Sequence, residues 1–286
     1  GYGGVRDYCI GMRFVTGDGR RAKGGGRVVK NVAGYDLMKL LIGSYGTLAV
    51  ITSASFKLFP APRQTRTFLA EFATAKEALE FRDRVIRSPL SPMCLELVSP
   101  GARKWMRPEM TQDAWVMCVR AAGSDAALMR YRKELGSAVM QELEEEDERR
   151  MWRAISDFPV SERMKQDPIS SILVPFLGRL SIFAPPADIA SVIALLDELS
   201  NHGNANVRFI GRVGIGHLLA YLEIINEELT ERVLLDGFPE RLPRGTQMRW
   251  SGLEGFGRWP NDNLASMRAV KHALDPKNIL RGREVF

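Results

Sequence analysis

Hydrophobic and polar residues in the first sixty positions follow strand, turn and helix patterns in succession. The segment Cys9–Thr16 is apolar and β-branched enough to predict a strand, and residues 17–19 supply the Gly-Asp-Gly of a tight hairpin turn. We expect residues 27–29 to continue the return strand after this turn. Leucines at helical spacing predict a helix over residues 35–42, and the β-branched run at 47–58 predicts a further strand.

Two prolines, Pro60 and Pro62, stop that strand and mark a domain exit. Beyond them, short strand and helix patterns alternate, which predicts an α+β fold: a sheet with helices on one face. The chain closes with a predicted helix at Leu264–Leu274 that ends before Asp275-Pro276. The expected strands between these points are 67–72, 94–98, 115–120, 172–176, 179–183, 207–210 and 217–222, and the expected helices are 75–86, 126–139 and 189–199.

Composition excludes several classes of protein. The 286 residues carry a formal net charge of +6, which is too weakly basic for a dedicated nucleic-acid binder. No apolar run reaches the roughly 18 residues of a membrane span, so none is predicted. The three cysteines are far apart and read as reduced thiols of a cytoplasmic protein. The three histidines form no metal-binding pattern, so no metal site is predicted.

Glycine is concentrated at the start of the chain, where 12 of the 26 glycines lie within residues 1–50. Glycine permits sharp turns and close approach of the backbone to a ligand, so this region suggests binding by the backbone. The common phosphate-binding motifs do not account for it. The Gly24–Gly26 run lacks the GK[ST] of a Walker A loop, and Gly43–Gly46 follows a helix and precedes a strand, the reverse of a Rossmann turn. There is no GxSxG nucleophile motif either.

Four segments carry a specific resemblance. They read YGGVRDYCIG at residues 2–11, KNVAGYDL at 30–37, GSYGTLAVIT at 43–52 and LDPKNIL at 274–280. In this order they resemble the vanillyl-alcohol-oxidase-like family of FAD-linked oxidases. The resemblance implies that residues 1–62 are the second half of a PCMH-type FAD-binding domain whose first half would precede Gly1. Residues 63–248 would then form an α+β cap domain, and residues 249–286 a tail that returns to the flavin domain.

The resemblance also implies a set of FAD-binding residues. Glycines would let the cofactor approach the backbone, Ser44 and Thr47 would add hydroxyl hydrogen bonds, and Arg6 would offset phosphate charge. The strand at residues 50–52 would present its edge groups. The complete set is Gly3, Gly4, Arg6, Gly25, Lys30, Asn31, Gly34, Tyr35, Gly43, Ser44, Gly46, Thr47, Val50 and Ile51.

Within the family, the phrase RVVKNV at residues 27–32 resembles the E subunits of bacterial glycolate oxidases. That resemblance implies an FAD-binding subunit that works with a second flavoprotein subunit and an iron–sulfur subunit. Its substrate would be glycolate or a similar small 2-hydroxy acid. It would be cytoplasmic, with peripheral association at the inner face of the cell membrane arising through those partners.

The catalytic residues stay open at this stage. Family members that oxidise 2-hydroxy acids themselves carry HxGxGxxH, whereas residues 212–219 read RVGIGHLL and keep one histidine. Lys30 and His217 are the candidates, with Arg212 as a second cation for a substrate anion. Two alternatives remain: a self-sufficient D-lactate-type dehydrogenase, and a non-catalytic assembly subunit with a structural flavin fold.

Overall fold

The chain folds as two units, each with its own antiparallel sheet. In the computed structural model one unit comprises Gly1–Ala61 with Gly257–Phe286, and the other comprises Pro62–Phe256. The structure describes residues 4–27, 35–106, 114–158, 177–201, 205–224, 238–251 and 264–280. The predicted strand at 172–176 lies outside these residues.

The first unit contains three helices and three strands within the described residues: α1 (Val5–Tyr8), β1 (Cys9–Thr16), β2 (Arg21–Gly25), α2 (Leu37–Leu41), β3 (Ala49–Phe56) and α9 (Leu264–Leu274). The second unit contains α3 (Ala75–Arg87), α4 (Pro100–Met106), α5 (Asp125–Leu135), α6 (Glu145–Asp157), α7 (Ile189–Asn201) and α8 (Phe238–Arg241). Its strands are β4 (Thr65–Phe72), β5 (Cys94–Val98), β6 (Trp115–Ala122), β7 (Val139–Leu143), β8 (Leu177–Phe183), β9 (Ala205–Arg212), β10 (His217–Ile224) and β11 (Gln247–Ser251).

The sheet of the first unit has the order β2-β1-β3, with both pairings antiparallel. The strand predicted at Cys9–Thr16 is found with those bounds. The return strand is β2, which begins at Arg21 because the turn closes early; of its expected continuation at 27–29, residues 28 and 29 lie outside the described residues. The N–H of Thr16 donates to the carbonyl of Arg20 at 3.0 Å, and Gly19 adopts φ +84, so pairing resumes at Arg21.

A buried ion pair joins α9 to the rest of the first unit. Lys271 Nζ lies 2.5 Å from Asp275 Oδ2 and donates to the carbonyl oxygen of Thr47 at 2.7 Å. The backbone N–H groups of Ile279 and Leu280 donate to the Asp275 carboxylate at 3.0 and 2.9 Å. Asp275 is 1% exposed and Lys271 is 9% exposed. The pair therefore connects the end of the chain to the residues just before β3.

Asp275 is tightly packed against the turn that contains Gly17. A side chain at Gly17 would collide with the Asp275 carboxylate, and the Gly17 N–H donates to the carbonyl of Leu274 at 2.8 Å. Burial alone would raise the pKa of Asp275, but the hydrogen bonds from Lys271, Leu280 and Ile279 outweigh it and hold that pKa below its ordinary value.

The second unit is built on an eight-stranded sheet with the order β11-β8-β10-β9-β5-β6-β4-β7, and every pairing is antiparallel. The α+β class predicted from the sequence is confirmed. One detail is corrected, because helices lie on both faces of the sheet. Helices α3, α5 and α7 pack on one face, and α4 and α6 pack on the other. Strand β6 shows why. Its residues are apolar on both sides, so Met117 is buried on the first face and Cys118 on the second, and both faces need to be covered.

Two boundaries in the second unit also differ from expectation. The helix expected over residues 126–139 stops at Leu135, because Gly136 adopts φ +61 and ends it, and β7 follows. The tail expected from residue 249 begins later, because β11 runs through Ser251 and pairs with β8. Among the helices that the structure describes, none has the length and apolarity needed to cross a membrane.

Replacing Asp275 with asparagine should destabilise the first unit by about 3–5 kcal/mol, because the buried Lys271 ammonium would lose its counter-charge. Hydrogen–deuterium exchange should become faster in peptides covering β1 and β3 and stay unchanged in the eight-stranded sheet. The matched control is Asp147→Asn, which removes an exposed pair with Arg150 (2.8 Å) and should change little. Equal hydrogen–deuterium exchange rates in β1 and β3 for the two variants would show that the Lys271–Asp275 pair does not stabilise the first unit.

The same pair should make stability depend on acidity. Because the folded state holds the pKa of Asp275 below the ordinary 3.8, its contribution is present above that value. It is lost as the pH falls through the lower folded-state pKa. The difference in urea midpoint between the natural chain and Asp275→Asn should therefore be full at pH 7 and shrink below pH 3.8. If the difference in urea midpoint grew as the pH fell, this explanation would be contradicted.

Candidate functional site

A tight turn between α2 and β3 forms one wall of a pocket in the first unit. Three of its four residues have positive φ: Gly43 at +90, Tyr45 at +54 and Gly46 at +76. The Thr47 N–H and hydroxyl both donate to the carbonyl oxygen of Ser44, at 3.0 and 2.7 Å. Left-handed backbone at a non-glycine residue such as Tyr45 is strained and is frequent at binding sites.

The pocket has a volume of about 560 Å³, in the usual range for a site that binds a small molecule or part of a cofactor. Its lining combines the turn with apolar side chains from β1 and β3, including Met12, Ala54 and Phe56. Five residues predicted from the sequence as cofactor-binding lie together in this lining: Gly43, Ser44, Gly46, Val50 and Ile51.

The turn offers hydrogen-bond donors to that pocket. In the described part of the chain, no protein group accepts a hydrogen bond from the backbone N–H of Gly43 or Gly46, or from the Ser44 hydroxyl. A Cβ placed on Gly43 or Gly46 would meet no atom within 4 Å, so the space beside both glycines is open. Backbone N–H groups without a protein acceptor suit the phosphate oxygens of an anionic ligand.

Other predicted residues lie outside the lining. Thr47 is completely buried, and its hydroxyl serves the turn itself. Tyr35 is 94% exposed. Arg6 Nε donates to the carbonyl oxygen of Lys39 at 3.1 Å, and Gly4 caps α1.

The packing of the first sheet by itself requires glycine at position 25. It pairs with Gly11 across β1 and β2, and any side chain there would collide with the backbone of Ile10. The predicted residues Gly3, Lys30, Asn31 and Gly34 lie outside the described residues.

A second group of polar side chains lies on one face of the eight-stranded sheet. The register aligns Phe183, His217 and Arg212 across β8, β10 and β9, and Glu96 faces Cys118 across β5 and β6. Leu97 pairs with Gly211, which brings Glu96 beside Arg212. We call this line of five residues the Arg212 row.

His217, a catalytic candidate from the sequence, is half-buried in this row. Its ring stacks on Phe183 with 4.2 Å between centroids, and its Nε2 lies 2.9 Å from Ser181 Oγ. Burial, with the charges of Arg212 and Arg179, lowers the pKa of His217 to about 4. His217 is therefore neutral at pH 7 and can exchange a hydrogen bond with Ser181.

Sequence reasoning missed Glu96. Its side chain is 8% exposed and lies 3.5 Å from Arg212 Nε, and burial raises its pKa to about 7 despite that guanidinium. The signal was present as one acidic residue at an inward position of the apolar strand CLELV. Among the described residues, no group of three or more His, Cys, Asp or Glu side chains could hold a metal ion.

The chain is similar in sequence to several characterised oxidoreductases. The glycolate oxidase subunit GlcD of Bacillus subtilis is 26% identical over 313 residues, covering 100% of this chain and 64% of that protein. The D-lactate dehydrogenase of Archaeoglobus fulgidus is 28% identical over 307 residues, covering 99% of this chain and 66% of that protein. The glycolate oxidase subunit GlcE of Escherichia coli is 41% identical, but over 93 residues, which are 32% of this chain and 27% of that protein. The chain thus spans about two thirds of the length of the first two of these proteins, which align along nearly all of it.

Solved structures of other proteins share this fold. The structure of an alkyldihydroxyacetonephosphate synthase matches 99% of this chain with a TM-score of 0.58 at 14% identity, over 54% of that protein. At this identity the match concerns the fold alone.

Residues 257–284 match the family described as FAD linked oxidases, C-terminal domain. This segment contains α9, Lys271 and Asp275, the elements that connect the end of the chain to the residues before β3. The family match and the sequence relatives agree with the resemblance seen in the motifs. The chain is therefore similar, at low overall identity, to FAD-linked oxidases, and glycolate oxidase subunits and D-lactate dehydrogenases are among the proteins that it matches.

Proposed function

We propose that this chain is the FAD-binding subunit of a complex that oxidises a small 2-hydroxy acid such as glycolate. The observation that carries the proposal is the turn at residues 43–46, which lines a pocket of about 560 Å³ and whose Gly43 and Gly46 N–H groups and Ser44 hydroxyl have no acceptor among the described residues. The sequence relatives named above include glycolate oxidase subunits and D-lactate dehydrogenases, which supports a 2-hydroxy acid as the substrate class.

The residues present in the pocket fit FAD. Gly43, Ser44 and Gly46 would donate to oxygens of the pyrophosphate or ribose, since no Cβ blocks the approach. Val50 and Ile51 are about half exposed and would pack against an apolar part of the cofactor. FAD, when bound, supplies the hydride acceptor for oxidation of an alcohol carbon.

The substrate reaction needs two further things from protein groups: an anchor for the carboxylate and an acceptor for the hydroxyl proton. Arg212 is a suitable anchor, since its side chain is 64% exposed. The segment that would carry HxGxGxxH in a self-sufficient dehydrogenase keeps one histidine here, and His217 is already engaged with Ser181. We therefore assign electron transfer to a partner, with a second flavoprotein subunit and an iron–sulfur subunit completing the complex.

The second candidate function is a self-sufficient dehydrogenase of the D-lactate type. It is favoured by the D-lactate dehydrogenase of Archaeoglobus fulgidus, which aligns with 99% of this chain. The two functions differ in whether the isolated, FAD-loaded chain is reduced by substrate without partners.

Replacing Gly46 with valine should weaken FAD binding by at least about tenfold. The new side chain would point into the open space beside the turn and would strain a backbone with φ +76. The measurement is a titration of the purified chain with FAD, followed by flavin fluorescence.

Gly19→Val is the matched control. Gly19 has φ +84 and equally open space for a Cβ, but it lies in the β1–β2 turn, away from the pocket. Both variants should lose similar stability, and only Gly46→Val should lose FAD. Equal FAD affinity in the two variants would exclude Gly46 from the cofactor site.

Anaerobic mixing with substrate tests the subunit role. The FAD-loaded protein alone should keep its oxidised flavin absorbance with glycolate or D-lactate, and the assembly with its partner subunits should bleach rapidly. Rapid bleaching of the isolated protein by D-lactate would favour the self-sufficient dehydrogenase instead. A protein that never retains FAD, with or without partners, would exclude both and favour an assembly role.

A further inference from the structure

Glu96 is a buried carboxylate with an incomplete set of partners. Its side chain is 8% exposed, and its ion-pair partner is Arg212, with 3.5 Å between Oε1 and Nε. Among the described residues, no group donates a hydrogen bond to this carboxylate. A buried charge normally receives several hydrogen bonds, because burial without them costs free energy. The exposed part of this carboxylate is left to solvent, so the ion pair lies where an external ligand can reach it.

Arg212 is arranged differently from its partner. It approaches Glu96 with Nε, and its side chain is 64% exposed. In the described part of the chain, its Nη1 and Nη2 groups have no acceptor. These two nitrogens form the fork that binds a carboxylate through two parallel hydrogen bonds. Arg212 can therefore hold an external carboxylate at its exposed end while Glu96 attracts it from the buried end.

The neighbours of this pair favour a small anion with a hydroxyl group. Arg179 is exposed on the same face of the sheet, and its charge reaches both His217 and Tyr221. His217 is neutral at pH 7 and lies next to Arg212 in the register. Its Nε2 is engaged with Ser181, so its other ring nitrogen, Nδ1, is the atom that would hydrogen-bond to a ligand hydroxyl.

We propose that the Arg212 row is a carboxylate-binding site in which Glu96 is a built-in competitor for Arg212. When Glu96 is ionised, it shares the guanidinium with the ligand and repels the ligand carboxylate. When Glu96 is protonated, Arg212 is free to bind the ligand fully. The ligand as a 2-hydroxy acid and Arg212 as its anchor rest on the proposed function, whereas the competition between Glu96 and a carboxylate for Arg212 rests on the ion pair itself.

The direction of the pH dependence follows from this competition. Burial raises the pKa of Glu96 to about 7, with Arg212 acting in the opposite direction. Carboxylate affinity should therefore be highest below that pH and should fall as the pH rises through about 7. By linkage, a bound carboxylate should raise the pKa of Glu96 further.

The other charged and titratable groups near Glu96 are two buried thiols and two arginines that are paired elsewhere. From β5 and β6, Cys94 and Cys118 have thiol pKa values that burial raises, so both stay neutral. Arg120 is fixed to Glu148 at 3.1 Å. From α4, Arg103 pairs with Glu71 at 2.5 Å.

Glycolate binding to the purified chain, measured by calorimetry between pH 5.5 and 8.5 without any flavin reaction, tests the proposal. The natural chain should bind about tenfold more weakly at pH 8.5 than at pH 5.5. Glu96→Gln, which is isosteric with the protonated acid, should bind equally well at both pH values. The carboxyl resonance of ¹³C-labelled Glu96 should titrate at a higher pH when glycolate is present.

Arg212→Gln should lose glycolate binding by at least about tenfold at pH 5.5, because the fork is removed. The matched control is Arg132→Gln on α5, which removes another exposed arginine, ion-paired to Glu142 at 3.1 Å, and should bind like the natural chain. Unchanged affinity in Arg212→Gln, or an unchanged pH dependence in Glu96→Gln, would overturn the proposal. Because FAD is not involved, neither result depends on the flavin experiments, and loss of FAD binding would leave this site untouched.

Discussion

The first unit depends on one buried charge pair, Lys271 and Asp275. The lysine neutralises the carboxylate and also holds the carbonyl oxygen of Thr47, while the carboxylate accepts the N–H groups of the residues after α9. A buried pair of this kind adds little net stability over a well-packed apolar contact, but it is very intolerant of losing one partner. Its main effect is to require one specific arrangement of α9 against the residues before β3.

That arrangement reaches the pocket through Thr47. Lys271 fixes the carbonyl of Thr47, and the N–H and hydroxyl of Thr47 fix the carbonyl of Ser44. The two glycines of the turn, which line the pocket, can then keep a left-handed backbone. The last helix of the chain and the candidate cofactor site, 224 residues apart in sequence, are therefore one hydrogen-bonded structure.

The sequence predicted local elements well where residue type alone decides them. The β-branched run at Cys9–Thr16 and the spacing in Leu264–Leu274 gave the observed bounds. It did not predict helices on both faces of the second sheet, because a strand such as β6 with apolar residues on both sides does not reveal what covers each face.

The candidate sites show the same contrast between local features, which the sequence predicts, and long-range contacts, which it does not. The motif at residues 43–52 led to the pocket-lining turn because glycine and hydroxyl positions are local features. Glu96 was missed because its meaning comes from Arg212, which lies more than a hundred residues later and reaches it only through the pairing of β5 with β9. Long-range register of this kind is not encoded in any single segment.

The position of β3 also has a practical consequence for work with this chain. Among the strands that the structure describes, β3 lies at the edge of its sheet. Seven of its eight residues are half-buried or exposed, and among them Val50, Ile51 and Phe56 are large and apolar. An apolar edge is a template on which a second chain can add a strand, and no charged residue within β3 opposes that addition. A charge placed on this strand opposes such pairing, so a lysine at Thr52 or Ser53 is a direct way to reduce self-association of the chain at high concentration.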